Sequence, residues 1–361
     1  MKSIFILLIV VCCKVQAQTC YIDSDLQKFA RKTLIDCIQV YGDDINQAGA
    51  VIMESNSGRV LTDICVGSFH RVVKDIPDGN AEGVECGIAR AALFLTLMDK
   101  VTPSYVVDTG EGEYIDSISG CHVKDMSSGN GYHQLSLKKC LDISNVGIIM
   151  ALDDVFQKNL QEYGKSLWKT GVFFQSMNFE TEYATNIGQW RACDILGFNS
   201  PYSLRQMTAW TNMLHNGGKL IMRFNSQDSA SPILEVHNKA ALDSLCEAMR
   251  MVVTEGTGID MNSNYTAVAG IADVSAPDVI NCRGCTAFAC FPYKSDSVGF
   301  TIGIYIRKHD IPVERRIATL CVRRIIDYMM EGKYITKFAA GVKSDIELKR
   351  DRYHPADKGR Y

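Results

Sequence analysis

Apolar positions along the chain change their spacing several times, and each change marks an element. A three-to-four-residue rhythm over Asp25–Tyr41 predicts an amphipathic helix. Ala48–Glu54 (AGAVIME) and Arg59–Val66 (RVLTDICV) are apolar runs on either side of Ser55-Asn-Ser-Gly58, which predicts two strands and a turn. Gly87–Lys100, rich in Ala and Leu, predicts a helix, and another begins at Ser136, a good N-cap residue, and runs towards Tyr163. Tyr202–Leu214 and Lys239–Thr254 read as further helices. Tyr265–Ala269, Thr286–Tyr293 and Gly299–Arg307 read as strands, the last two as a hairpin. Val313–Glu331 reads as a closing amphipathic helix.

The order is therefore helix, two strands, a long helical insertion, three strands, helix. A sheet with strands drawn from both ends of the chain satisfies it. The fold class expected is α/β: a mainly antiparallel five-stranded sheet, flanked by the terminal helices on one face and a helical subdomain on the other.

Composition adds little to this and excludes some classes. Among 361 residues, 47% are apolar and 22% charged, with a net charge of −3. That is a globular balance, with no overall positive charge to attract nucleic acid. The amino terminus differs from the rest. Met-Lys, an apolar run from Ile4 to Cys13 and the small residue Ala17 form the n-region, h-region and cleavage pattern of a secretory signal peptide over residues 1–17. The run is too short to span a bilayer, and no later segment offers a transmembrane anchor. Residues 18–343 then form one domain, and 344–361 a charged tail. Export to the periplasm or cell envelope is expected. Removing Cys12 and Cys13 leaves twelve of the fourteen cysteines in an oxidising setting, where disulfides form but cannot be paired from sequence. Cys282-Arg-Gly-Cys285 lacks a second ligand pair, so no metal and no cofactor is expected.

Several stretches together carry a resemblance. These are Ala48-Gly-Ala-Val-Ile-Met-Glu with Ser57-Gly-Arg-Val, Val101-Thr-Pro-Ser-Tyr-Val-Val-Asp-Thr-Gly, Leu135-Ser-Leu-Lys-Lys-Cys-Leu-Asp-Ile-Ser-Asn-Val-Gly, Gly197-Phe-Asn-Ser-Pro-Tyr, Val252-Val-Thr-Glu-Gly-Thr-Gly and Phe288–Ile306. In this order, from about Asp25 to Lys333, the chain resembles the transpeptidase domain of class B penicillin-binding proteins, of the serine β-lactamase and DD-peptidase fold. The resemblance implies three catalytic motifs: a Ser-x-x-Lys pair at a helix start, a Ser-x-Asn loop, and a Lys-Thr-Gly strand. Here the first falls on Val84-Glu-Cys-Gly-Ile-Ala-Arg, with Cys86 at the nucleophile and Ala89 at the lysine, give or take one residue. The second reads Ile143-Ser144-Asn145, keeping only the asparagine. The third reads Ile271-Ala272-Asp273, which lacks the cation and places a carboxylate where it would repel the substrate's own.

Loss of base, relay hydroxyl and cation together implies a pseudoenzyme that binds peptidoglycan stem peptides or a cell-envelope protein, with the strand edge near Ala269 open to an added peptide strand. The alternatives are a transpeptidase or carboxypeptidase using Cys86 or a displaced serine, with His70 able to approach, and a purely structural scaffold. Literal matches point elsewhere. Ser136-Leu-Lys-Lys139, Ser166-Leu-Trp-Lys169, Lys169-Thr-Gly171 and Ser176-Met-Asn178 spell the motifs, but crowd into some forty residues and in the wrong order. Asp108-Thr-Gly110 mimics an aspartic protease signature and reads as a turn. Asn264-Tyr-Thr is a formal glycosylation sequon.

Overall fold

The architecture is seen in a computed structural model, which describes residues 20–41, 45–69, 72–76, 88–117, 120, 122–125, 131–172, 203–274, 284–294, 299–308, 315–332 and 334. The signal segment, the charged tail, Cys86, His70, Ser176–Asn178 and Cys282 lie outside the described residues.

The central strand is β1 (Ile45–Glu54). It pairs antiparallel with β2 (Val60–Phe69) on one side and with β12 (Phe300–Lys308) on the other. Beyond β2 lies β3 (Val72–Asp75), and beyond β12 lie β11 (Gly284–Phe291) and the edge strand β10 (Ala269–Val274). All neighbours in this six-stranded sheet run antiparallel. The sequence gives five strands. The sixth, β3, is short and mostly exposed, so it carries no apolar alternation to betray it. β10 starts at Ala269, where the sequence reading ends its strand. Although at the sheet edge, β10 is buried on both faces by the flanking helices and reads as a nearly continuous apolar run, which blurs its limits.

Side chains alternate between the two faces. On β1, Ala48, Ala50 and Ile52 pack towards the terminal helices, while Val51 and Met53 face the helical subdomain. Helix α1 (Ser24–Tyr41) covers the first face with the stripe Leu26, Ala30, Leu34, Cys37 and Ile38. The C-terminal helix, Arg315–Glu331, joins it with Ile317, Ala318, Cys321, Val322, Ile325, Ile326 and Met329. Spacings of three and four residues produce both stripes.

On the opposite face, α2 (Ile88–Leu97) is buried over all ten residues, as suits a helix enclosed by others. Around it stand α3 (Leu137–Ile143), α4 (Asn145–Phe156), α5 (Leu160–Trp168), α6 (Leu204–His215) and α7 (Lys239–Glu255), and the C-terminal helix is α8. The single helix expected from Ser136 to Tyr163 is therefore three. Ser136 does cap α3, accepting from Lys139 N–H at 3.3 Å. The chain breaks at Ser144 and again at Gln157 and Lys158, whose φ of 48° and 61° no helix continues through. Three two-stranded ribbons complete the subdomain: β4 (Val106–Asp108) with β7 (Gln134–Ser136), β5 (Glu113–Ile115) with β6 (His122–Lys124), and β8 (Lys219–Leu220) with β9 (Leu234–Glu235).

Candidate functional site

Helix α2, the α3–α4 junction and strand β10 converge, and the side chain that joins them is Arg90. It is 5% exposed, in the first turn of an otherwise uncharged helix. Its Nη2 lies 3.0 Å from Asp273 Oδ2 on β10, an ion pair with both partners buried. Nη2 also donates to the Ala272 carbonyl and Nη1 to the Asp142 carbonyl, each at 3.4 Å. One guanidinium thus touches all three segments, and its planar fork of donors suits that role better than an amine.

The junction is equally occupied. Ser144 is fully buried and ends α3 while capping α4. Its Oγ accepts from Gly147 N–H at 2.7 Å and donates to Asp125, whose other oxygen accepts from Val146 N–H at 3.1 Å. Burial raises the Asp125 carboxyl above the usual carboxylate range. The Ser144 hydroxyl, the Val146 and Asn145 N–H groups and the Arg90 charge oppose that rise. Asp142, 1% exposed, accepts from Thr257 N–H and Oγ1 at 2.8 Å each and from Lys139 Nζ at 2.8 Å. Arg90, Asp125, Asp142 and Thr257 escaped the sequence reading. A lone arginine in a ten-residue apolar helix is the signal that would have found the first, because a buried charge needs a partner.

The expected site positions separate accordingly. Ala89, 9% exposed, begins α2 beside Arg90. Moving the first motif by one residue puts Arg90 at the lysine position and Gly87, outside the described residues, at the nucleophile. Ile143 and Asn145 are half-buried on either side of Ser144. Ile271 packs with the helical subdomain, whereas Ala272 faces the terminal helices, so its side chain points away from this cluster. Asp273, expected from sequence to repel a substrate carboxylate, stands in the fold beside a cation: its Oδ2 is 3.0 Å from Arg90 Nη2 of α2.

The strand edge is partly occupied. Ala267 offers its carbonyl to Tyr293 N–H across the sheet, so the alternation of the ladder turns the carbonyls of Val268, Gly270 and Ala272 outward. Arg250 Nη1 donates to Val268 at 2.7 Å, and Arg90 holds Ala272.

The literal motif matches have structural duties. Lys169 pairs with Asp99 at 2.8 Å, Thr170 is buried and donates back to Leu167, and Gly171 has φ of 69°. Together they form the turn that ends α5, not a strand. Ser166 is buried on that helix. Asp108 accepts from Gly110 N–H at 2.9 Å, a side-chain-stabilised turn.

A serine–histidine pair lies elsewhere. Ser55 Oγ is 3.0 Å from His215 Nδ1, and His215 Nε2 is 2.9 Å from the Pro292 carbonyl. The carbonyl can only accept, so Nε2 carries the proton and Nδ1 accepts from the serine. Ser55 is 1% exposed and its N–H bonds Gly299 O, while a Cβ on Gly299 would run into the imidazole. With no room at the hydroxyl for a substrate, the pair locks the β1–β2 turn to α6.

A six-stranded antiparallel sheet lies between two terminal helices and a helical subdomain, and a helix start, a helix junction and an edge strand converge on one point. Solved structures share this fold. The chain superposes on the transpeptidase domain of penicillin-binding protein 3 from Burkholderia pseudomallei with a TM-score of 0.64, covering 87% of this chain and 96% of that one at 14% identity. It superposes on a peptidoglycan glycosyltransferase from Burkholderia ambifaria with a TM-score of 0.62, covering 88% and 98% at 15% identity. No family model matches the sequence, and a search of curated proteins finds no match. The fold is shared; at these identities the likeness extends no further.

Proposed function

We propose that this protein is a non-catalytic form of the transpeptidase fold, exported to the periplasm or cell envelope and acting there as a recognition module for peptidoglycan stem peptides or a cell-wall partner. The observation that carries the reading is the Arg90–Asp273 pair. Acyl transfer needs a proton acceptor beside the nucleophile and donors left free for the developing oxyanion. Guanidinium groups do not serve as proton acceptors. This one already directs its two terminal nitrogens, Nη1 and Nη2, at Asp142, Ala272 and Asp273. Ser144, at the relay position, spends its hydroxyl on a helix cap and on Asp125. The signal-peptide pattern supports export. Among the described residues no helix is long and apolar enough to cross a membrane.

A second reading, a structural scaffold, is favoured by one observation. Arg250 and Arg90 hold two of the three outward carbonyls along the sheet edge, Val268 just before β10 and Ala272 within it, so a peptide added there must displace a guanidinium at each end.

Incubation with fluorescent penicillin followed by intact mass measurement tests inactivity. No covalent adduct is expected, and a stable adduct that disappears in Cys86→Ala would overturn the proposal. A stem pentapeptide that raises the melting temperature supports the recognition module; absence of any shift, with no adduct, leaves the scaffold.

A further inference from the structure

The helices that cover the outer face of the sheet come from opposite ends of the described chain, and each brings a cysteine to their contact. Cys37 lies on the buried stripe of α1 and Cys321 on that of α8, 2% and 0% exposed. Their Sγ atoms are 2.9 Å apart. That is within about 1 Å of a covalent S–S bond, roughly 2.05 Å. The helices are further fixed by Phe29 and Tyr328, stacked at 3.8 Å between ring centroids and 6° between planes. The approach of the two sulfurs is therefore set by well-packed elements.

We propose that Cys37 and Cys321 form a disulfide that fastens the amino-terminal helix to the carboxy-terminal one when the chain folds in the presence of a low-molecular-weight disulfide. Before α1 docks neither thiol is buried, so either can supply the first thiolate. With Cys37 first, its thiolate attacks one sulfur of the donor and expels the other half as a thiol. Cys321, losing its proton, then attacks the Cys37 sulfur and expels the second half. Two cysteine thiols are oxidised, one donor disulfide is reduced to two thiols, and those thiols carry away both protons. With both sulfurs nearly inaccessible in the folded protein, exchange precedes the final docking of α1. Afterwards the bond is shielded from reductant. Cys285 on β11 is the competing thiol, since its charge reaches Cys321.

The full chain, refolded in a buffer of reduced and oxidised glutathione, is denatured with an alkylating agent present and digested with trypsin without reduction. The peptide Thr33–Arg59, which holds only Cys37, is expected joined to Ile317–Arg323, which holds only Cys321, lighter by two hydrogens than the pair of thiol peptides. Reduction should separate them and lower the melting temperature by about 5–10 °C. In Cys37→Ser, Cys321 should become fully alkylated and the reductant-dependent shift should vanish. Recovery of both peptides alkylated from the wild-type chain, or of Ile317–Arg323 joined to Gly284–Lys294, would overturn the assignment. Because this reads a covalent bond on the opposite face of the sheet from Arg90 and the α3–α4 junction, its outcome is independent of whether the protein reacts with penicillin.

Discussion

Arg90 shows how far a single buried charge constrains its surroundings. Taking two ions out of water costs several kcal/mol each, recovered only when they meet in good geometry. The pair with Asp273 is therefore expected to be costly to break and cheap to replace. Asp273→Ala, which strands the guanidinium, should lower stability by about 3–5 kcal/mol in urea titration, whereas Arg90→Met with Asp273→Leu should recover most of the loss. Equal losses in the single and double variants would remove the ion pair from the account. His215 gives a second expectation. Burial lowers its pKa below the ordinary imidazole value, opposed by the hydrogen bond to Pro292. The unfolded chain then binds the proton more readily, so stability contributed by the neutral ring is full above the unfolded pKa of about 6.5 and declines as pH falls through that value towards the folded one. Asp125, with its pKa raised, works in the opposite direction. The comparison is accordingly between the wild type and His215→Gln: their stability difference should shrink steadily from pH 7.5 to pH 5.

Among elements, the lesson is in the junctions. The apolar pattern from Ser136 to Tyr163 is nearly unbroken, yet α3 and α4 meet at a serine that caps one while ending the other. Ser144 has the same helix propensity in either role, and what decides between them is Asp125, nineteen residues earlier, which engages the Ser144 hydroxyl and the first N–H groups of α4. The tie from α3 to the segment after α7 rests on a glycine. A Cβ at Gly256 would sit 2.5 Å from Asp142 Oδ2 and 2.6 Å from Oδ1, displacing the carboxylate from Thr257. Gly256→Ala should cost about 2 kcal/mol by chemical denaturation, and Thr257→Val a similar amount through the lost hydroxyl bond. A neutral Gly256→Ala would mean that this loop yields without cost.

For the molecule as a whole, the sheet is the partition. Cys37, Ala48, Ile302 and Ile325 belong to the face closed by the two chain ends, and Val51, Phe94, Leu152 and Trp210 to the face closed by the helical insertion. A covalent link between α1 and α8 acts on the first face alone, restricting the unfolded chain over 284 positions of sequence separation. The loss of melting temperature on reduction is therefore a property of the whole fold, and it should leave penicillin reactivity unchanged. The edge strand shows the opposite dependence. The carbonyls of Ala272 and Val268 along the β10 edge are held by Arg90 and Arg250, which come from two helices of the insertion.

The order of the main helices and strands, the turn at Ser55–Gly58 and the buried stripes of α1 and α8 are all determined locally, because periodicity and turn chemistry act over a few residues. So are the apolar residues Ala89, Ile143 and Ile271 at the positions to which the sequence resemblance assigns a lysine, a serine and a lysine, which are a matter of residue identity. That Asp273 is matched, that Ser144 is a cap and that Cys37 meets Cys321 was decided only by the tertiary structure. In each case the partner lies between 19 and 284 positions away in sequence, and the energy of a buried polar group depends on what packing brings against it.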